Sequence, residues 1–207
     1  MKKMFAFTLS EVLITLAIIG VISALTVPTL INGYQKKAEV VQIRKVMTDI
    51  GNTIDMYITE EGKAKFSATP YYKNDLNSLI TEKMKSVKTC SSDAGGCFAS
   101  ENYLTIGGGD SKAFSCEGNS YLLANSAAIC MTKDDDIITV NVDINGQQGP
   151  NIGGRDMFEF YVTKDGDIAY CSDGNAECDS EKEGCTGSAL GKGCVKALAD
   201  NAWVMDY

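Results

Sequence analysis

The feature that most constrains this chain is a nearly uncharged apolar run at residues 7–31. Its single formal charge is Glu11. At about 1.5 Å of rise per residue, a helix of this length crosses a hydrocarbon core of about 30 Å. An ionised carboxylate in lipid costs about 3 kcal/mol or more unless it is paired or reaches water. The run therefore predicts a membrane-spanning helix in which Glu11 needs a partner.

Two simpler interpretations leave residues unexplained. A secretory signal peptide would use Lys2 and Lys3 as its charged region. However, the apolar run is too long, it contains Glu11, and no small-x-small cleavage site follows it before Asn32. A plain membrane anchor explains the length, but it explains neither Glu11 nor Pro28.

The start of the run resembles the processing site of type IV prepilins and type II secretion pseudopilins. Residues 2–6 read KKMFA and residues 7–11 read FTLSE. The residue before the expected cut is Ala6, where these families more often have Gly. The resemblance extends over about residues 1–60, and the heads of these families diverge beyond that point.

This resemblance implies a specific maturation reaction. A dedicated peptidase on the cytoplasmic side of the membrane would cut between Ala6 and Phe7 and methylate the new amine of Phe7. Thr8 and Glu11 would then act in assembly, with the Glu11 carboxylate pairing with the Phe7 amine of a neighbouring subunit and neutralising two buried charges. Gly20 and Pro28 fall where members of the family often loosen the helix, so we expect a helix break there.

The helical pattern resumes between Tyr34 and Glu61. Gly62 is a stop signal. The apolar residues at spacings of three or four, which predict one packed face, are Val40, Ile43, Met47, Ile50, Ile54 and Ile58. The predicted organisation is a leader at 1–6, a transmembrane and filament-core helix at 7–31, an amphipathic continuation at 32–62 and a globular head at 63–207.

All eight cysteines lie in the head, between Cys90 and Cys194. An even number in one region indicates disulfides and an oxidising compartment, which places the head in the periplasm or outside the cell. Zinc is disfavoured because the spacings are wide and the chain has no histidine. Eight cysteines allow roughly a hundred pairings, among which spacing does not choose. We predict the local set: Cys90 with Cys97, Cys116 with Cys130, Cys171 with Cys178, and Cys185 with Cys194.

The rest of the head predicts an antiparallel sheet. A short helix is expected over 74–88, and Lys164 to Asp167 is expected to form a hairpin turn. Strands are predicted at 121–131, 137–144, 157–163 and 168–171 from their β-branched and aromatic residues. The fold class is therefore α+β and pilin-like, with a long N-terminal helix packed on a small antiparallel sheet and disulfide-bonded loops.

One loop resembles the start of a calcium site. Asp143, Asn145 and Asp156 supply oxygens beside Gly146, and calcium prefers six to eight oxygen ligands. No glutamate closes the loop at EF-hand spacing. The alternative is an ordered loop in which the Asp and Asn side chains cap their own backbone. A structural calcium ion is the single cofactor considered, and the default expectation is none.

The composition argues against an enzyme, because there is no histidine, no serine in a nucleophile elbow and no cysteine expected to remain a thiolate. We predict a structural subunit of a type IV pilus, with a pseudopilin of a type II secretion system as the alternative. A DNA-uptake pilin and a non-polymerising anchored binding protein are further alternatives. The net charge of −8 repels nucleic acid.

The resemblance also implies partners and a location. The partners are the prepilin peptidase, other pilin or pseudopilin subunits, the inner-membrane assembly platform and membrane lipid, with no nucleic acid. The precursor would be a single-pass protein of the bacterial inner membrane, and the product a cell-surface or periplasmic filament.

Overall fold

The computed structural model describes residues 8–91, 96–174, 178 and 184–207. It divides into two units, the first ending at Ala38 and the second running from Glu39 to Tyr207. We call them the N-terminal unit and the head. The head therefore includes the second half of the long helix.

Helix α1 runs from Leu9 to Glu60. It continues through Gly20 and Pro28, so neither residue ends the helix, and a local loosening at these two positions stays a prediction. Proline removes only one backbone donor, and an interior glycine costs about 1 kcal/mol, so neither has to end a helix of this length.

The predicted stop at Gly62 is confirmed by a Schellman motif. Gly62 has a φ of +58°. Its N–H donates to the Thr59 carbonyl at 3.1 Å, and the Lys63 N–H donates to the Ile58 carbonyl at 3.0 Å. Glycine takes this left-handed conformation without a Cβ clash, which explains why the helix ends here.

The strands of the head are β1 Ser86–Cys90, β2 Tyr103–Leu104, β3 Ser111–Lys112, β4 Ser120–Leu123, β5 Ala128–Asp134, β6 Ile137–Asp143, β7 Met157–Thr163 and β8 Ile168–Ala169. They form a six-stranded sheet with the order β1-β4-β5-β6-β7-β8 and a separate β2-β3 pair, and all of these pairings are antiparallel. The short helices are a 3-10 turn at Phe66–Ala68, α2 Pro70–Asn74, α3 Leu76–Ser78 with a π-helical turn at Leu79–Lys83, a 3-10 turn at Cys185–Gly187 and α4 Cys194–Asp200.

Two sequence predictions, one of a strand and one of a helix, need correction. The predicted strand at 121–131 is a hairpin, because Ser126 takes a φ of 70° and its N–H donates to the Leu123 carbonyl at 3.0 Å. The predicted helix over 74–88 is broken into short turns and ends before Lys85, whose φ of 54° is not helical. The chain then continues as β1, which pairs with β4.

Two other predictions are confirmed. Strand β7 has the predicted bounds. The hairpin turn from Lys164 to Asp167 is closed by a hydrogen bond from the Thr163 N–H to the Asp167 carbonyl at 2.9 Å.

The sheet is covered on both faces. One face packs on the head half of α1, where Ile43 and Ile50 are fully buried. The residues of β6 that join this core are Ile138, Val140 and Val142, as their alternation predicts. A second cluster, which includes Phe98 and Tyr103, contains residues from the alternate positions of β5. Asn141 and Asp143 are therefore buried as well, although their polarity predicts exposure.

Four disulfides close loops in the head. The pairs are Cys90–Cys97, Cys116–Cys130, Cys171–Cys178 and Cys185–Cys194, which is the predicted local set. No free cysteine occurs in the described part of the chain. The longest of these closures spans 14 residues, so each bond constrains its own loop rather than distant elements.

Candidate functional site

The predicted maturation site lies only partly within the described residues. Ala6 and Phe7, which the sequence assigns to cleavage, and the methylation at Phe7 fall outside them. Thr8 is the first described residue, and α1 begins at Leu9. The geometry of the site therefore starts with Thr8 and Glu11.

Thr8 and Glu11 form a capping box at the start of α1. Glu11 Oε2 accepts hydrogen bonds from the Thr8 backbone N–H at 2.9 Å and from Thr8 Oγ1 at 2.7 Å, and the Glu11 N–H donates to Thr8 Oγ1 at 3.3 Å. Such reciprocal bonds satisfy backbone donors that a helix start leaves without partners. The two residues assigned to assembly thus also define where the helix begins, and the S/T-x-x-E spacing was the signal in the sequence.

The side chains of residues 8–35 are exposed. Leu16 and Ile19 keep 60% and 59% of their surface accessible. Exposing so much contiguous apolar surface to water is unfavourable, and such patches mark membrane or protein contacts. Within the described chain, α1 is the one helix long and apolar enough to cross a membrane.

Comparison with protein families agrees with this geometry. Residues 1–27 match the model described as the prokaryotic N-terminal methylation motif. This motif is the signature of type IV pilins and pseudopilins, and it supports a protein of that class. No curated protein and no solved structure matches the chain significantly.

The motif also carries implications for processing and location. It implies cleavage by a prepilin peptidase and assembly with other pilin subunits. Together with the long apolar helix, it is consistent with a membrane-anchored pilin precursor. Proteins of this class are generally structural rather than catalytic.

The predicted calcium ligands are close together, but their oxygens already have hydrogen-bond donors. Asp143 Oδ2 accepts from the Tyr103 hydroxyl at 2.5 Å, and Asp143 Oδ1 accepts from the Asn145 N–H at 3.1 Å. Asp156 accepts from the backbone N–H groups of Asn151 and Ile152, both at 2.6 Å. These hydrogen bonds hold the two carboxylates against Tyr103 and against the backbone of their own loops.

A structural calcium ion at these residues stays a prediction. Asn145 Oδ1 is the one predicted ligand atom that is buried without a hydrogen-bond partner in the described chain. In the described ranges, no group of three or more His, Cys, Asp or Glu is placed to hold a metal ion. The geometry matches the second interpretation, in which the loop side chains cap backbone donors.

The buried carboxylates have unusual acidities. Burial raises the pKa of Asp143 to about 7; the Tyr103 hydrogen bond opposes this rise and the charge of Asp156 adds to it. Burial also raises the pKa of Asp156, against the hydrogen bonds that it accepts from Ile152 and Asn151. The sequence analysis did not find Tyr103, because it is 40 residues from its partner and no local pattern connects the two.

Proposed function

We propose that this chain is a structural subunit of a type IV pilus or pilus-like filament, polymerised through its N-terminal helix after cleavage before Phe7. The observation that carries the proposal is the exposed apolar surface of residues 8–35, in which Glu11 is the only acidic residue. Lipid would cover this surface before assembly, and the helices of neighbouring subunits would cover it in the filament.

Glu11 would select the register of assembly. In the precursor its Oε2 accepts from Thr8. Cleavage before Phe7 creates an amine one residue away from Thr8, at the same helix start. A Glu11 carboxylate paired with the Phe7 amine of the adjacent subunit neutralises two charges in a medium where an isolated charge is costly. A subunit inserted out of register would leave both charges unpaired.

The head would supply the outer surface of the filament. Its sheet, two cores and four disulfides suit exposure outside the cytoplasm, where an oxidising environment maintains the bonds. The remaining partners are the prepilin peptidase, which reads residues 1–7 and the helix start, and an inner-membrane assembly platform. The acidic composition disfavours DNA capture by the filament.

The test is the intact mass and N-terminal sequence of the chain recovered from sheared surface filaments, compared with the chain recovered from membranes. We expect the filament fraction to start at methylated Phe7. A chain that still starts at Met1 and occurs only in membranes would contradict the proposal and would indicate an anchored binding protein.

The same experiment separates the second candidate of the same class. A pseudopilin of a type II secretion system would also start at methylated Phe7, but it would stay with the cell envelope after shearing. Deleting the gene would then block the export of periplasmic proteins rather than remove surface filaments. The fractionation therefore decides between pilus and pseudopilus even when processing is identical.

A further inference from the structure

A groove lined by lysines lies in the head, where α1 meets the β4–β5 turn and the end of the π-helical turn. Its volume is about 650 Å³. The charged residues in its lining are Lys45, Lys83, Lys85 and Asp49. We call it the lysine groove. Its excess of positive charge contrasts with the net charge of −8 of the whole chain.

Two of these lysines have no partner within the described chain. Lys83 donates to Glu60 Oε2 at 2.5 Å. Lys45 and Lys85 are exposed, and no ion pair or hydrogen bond of their side chains is found in the described ranges. The groove therefore presents two cations that are available to carboxylates from outside the subunit.

A matching acidic surface lies at the β5–β6 turn, Asp134 to Asp136, which we call the aspartate turn. All three side chains are exposed. Asp136 Oδ2 forms an ion pair with Lys164 Nζ at 2.9 Å, whereas the side chains of Asp134 and Asp135 form no ion pair with any described residue. Asp135 has a φ of 49° and forms the tip of the turn.

The two surfaces lie at opposite ends of the same strand. Strand β5 runs from Ala128, next to the Asn125 turn that lines the groove, to Asp134 at the aspartate turn. Seven residues of antiparallel strand span about 20 Å. A copy displaced along the strand direction would thus bring its aspartate turn toward the lysine groove of the next copy.

We propose that the lysine groove of one subunit receives the aspartate turn of a neighbouring copy in the filament. The contact joins two different surfaces, so it is heterologous and repeats without closing, as a helical filament requires. Because polymerised helices would hold the heads at high effective concentration, weak charge pairs suffice to orient them. This inference rests on the proposed function, since it needs a polymer.

A second copy is favoured over other anionic partners. The acidic surface of the head repels polyanions such as nucleic acid beyond the groove itself. The aspartate turn has the complementary charge, has two unpaired carboxylates and is present in equal amount to the groove. Exposed pairs are screened by salt, so the contact would orient the heads while the apolar helices hold the filament together.

The test is charge reversal in the full-length chain, expressed in the cells that assemble it. We expect Lys45→Glu/Lys85→Glu to reduce the yield of sheared filaments about 3- to 10-fold, and Asp134→Lys/Asp135→Lys to do the same. Combining all four substitutions restores the pairing with reversed signs. The combined variant should therefore recover most of the wild-type yield.

Two controls separate the contact from general charge effects and misfolding. Lys63→Glu/Lys73→Glu makes the same change in net charge on exposed lysines outside the groove, and it should leave the yield unchanged. Thermal unfolding of each detergent-solubilised variant, followed by the fluorescence of Trp203, the single tryptophan, should match the wild type. Filament yields are compared only among variants whose thermal unfolding matches that of the wild type.

The outcomes are distinct. Wild-type yield from both double variants overturns the inference, and so does a folded combined variant without recovery. A loss with the groove variant but not with the aspartate variant also overturns it, because the groove would then bind a different partner. Absence of the wild-type chain from filaments refutes the proposed function itself, and the inference with it.

Discussion

The two halves of α1 carry similar apolar residues but have opposite surroundings. Ile19, in the N-terminal unit, keeps 59% of its surface exposed, whereas Ile50, in the head, is fully buried. The head covers the apolar face of its helix half with its own sheet. Residues 8–35 have exposed side chains instead. One continuous helix is thus a core element over part of its length and an exposed apolar surface over another part.

This contrast predicts that stability and assembly can be changed separately. Both core clusters of the head consist of residues of the head itself. Substitutions in the N-terminal unit should therefore affect membrane retention and polymerisation alone. Substitutions of buried residues in the head should lower the free energy of unfolding first, and assembly only through loss of folded subunits.

The largest effect is expected from Glu11→Ala. Loss of the only carboxylate in the apolar segment should reduce the yield of sheared filaments at least about 10-fold, since pairing of a charge in an apolar environment is worth several kcal/mol. The unfolding midpoint of the head, read from Trp203 fluorescence, should stay unchanged. Glu61→Ala is the matched control, because Glu61 is exposed and lies in the turn after α1. A normal yield of filaments from the Glu11 variant would show that assembly does not depend on the carboxylate of the N-terminal unit.

The second prediction compares two isoleucines of the same helix. Ile50→Ala should lower the free energy of unfolding of the head by about 2–5 kcal/mol, because it leaves a cavity in the main core. Ile19→Ala should leave it unchanged within about 0.5 kcal/mol. Denaturant unfolding of the full chain in detergent measures both. Equal losses would mean that the N-terminal unit contributes to the stability of the head.

The third prediction concerns the disulfides, which occur in the head and not in the N-terminal unit. Replacing both Cys116 and Cys130 by Ala should cost the head about 3 kcal/mol, as expected for a closed loop of about 15 residues. The control is the wild type under reducing conditions, which should be destabilised further because all four bonds open. Insensitivity of the wild type to reductant would contradict a stabilising role for these bonds.

The smallest expected effect is a pH dependence from Asp143. Its pKa is about 7 in the folded head and about 3.9 when unfolded. Between these values the folded state binds more protons than the unfolded state. The contribution of this group to stability is therefore complete below about pH 4 and lost as the pH rises through 7.

The measurement compares wild type with Asp143→Asn from pH 5 to pH 8. The asparagine mimics the protonated carboxyl, so the difference in unfolding free energy between the two proteins should shift by about 1–3 kcal/mol in favour of the variant as the pH rises. Because the charge of Asp156 raises the pKa of Asp143, the difference reports the coupled titration of this pair. A difference that does not vary with pH would show that Asp143 keeps an ordinary pKa in the folded head.

Features that depend on near neighbours could be predicted from the sequence. The alternation in β6, the turn from Lys164 to Asp167 and the end of α1 at Gly62 each depend on a few consecutive residues. The disulfide pairs also join cysteines that are close in sequence, so each closes a short loop. At the candidate site, the FTLSE segment and the charge pattern of residues 7–31 were sufficient to predict a processed, polymerising helix, and the family comparison supports that class.

Other features required knowledge of distant neighbours. The pattern at 121–131 does not show a hairpin, because the turn at Ser126 is flanked by apolar residues that equally suit one strand. The oxygens of Asp143 and Asp156 resemble calcium ligands in the sequence, whereas the donors of their hydrogen bonds are known only from the tertiary structure. Gly20 and Pro28 are compatible with a helix that continues through both.

The sequence by itself predicted the long helix, its apolar and amphipathic halves, the local disulfide bonds of the head and the resemblance to type IV pilins and pseudopilins, because each depends on local periodicity, charge or residue type. Only the tertiary structure decided that Tyr103 donates to Asp143, that Asn141 and Asp143 on the polar face of β6 are buried, and that the lysine groove and the aspartate turn lie at opposite ends of β5. These arrangements depend on which distant residues come to share space when the sheet forms, and no local pattern records that information.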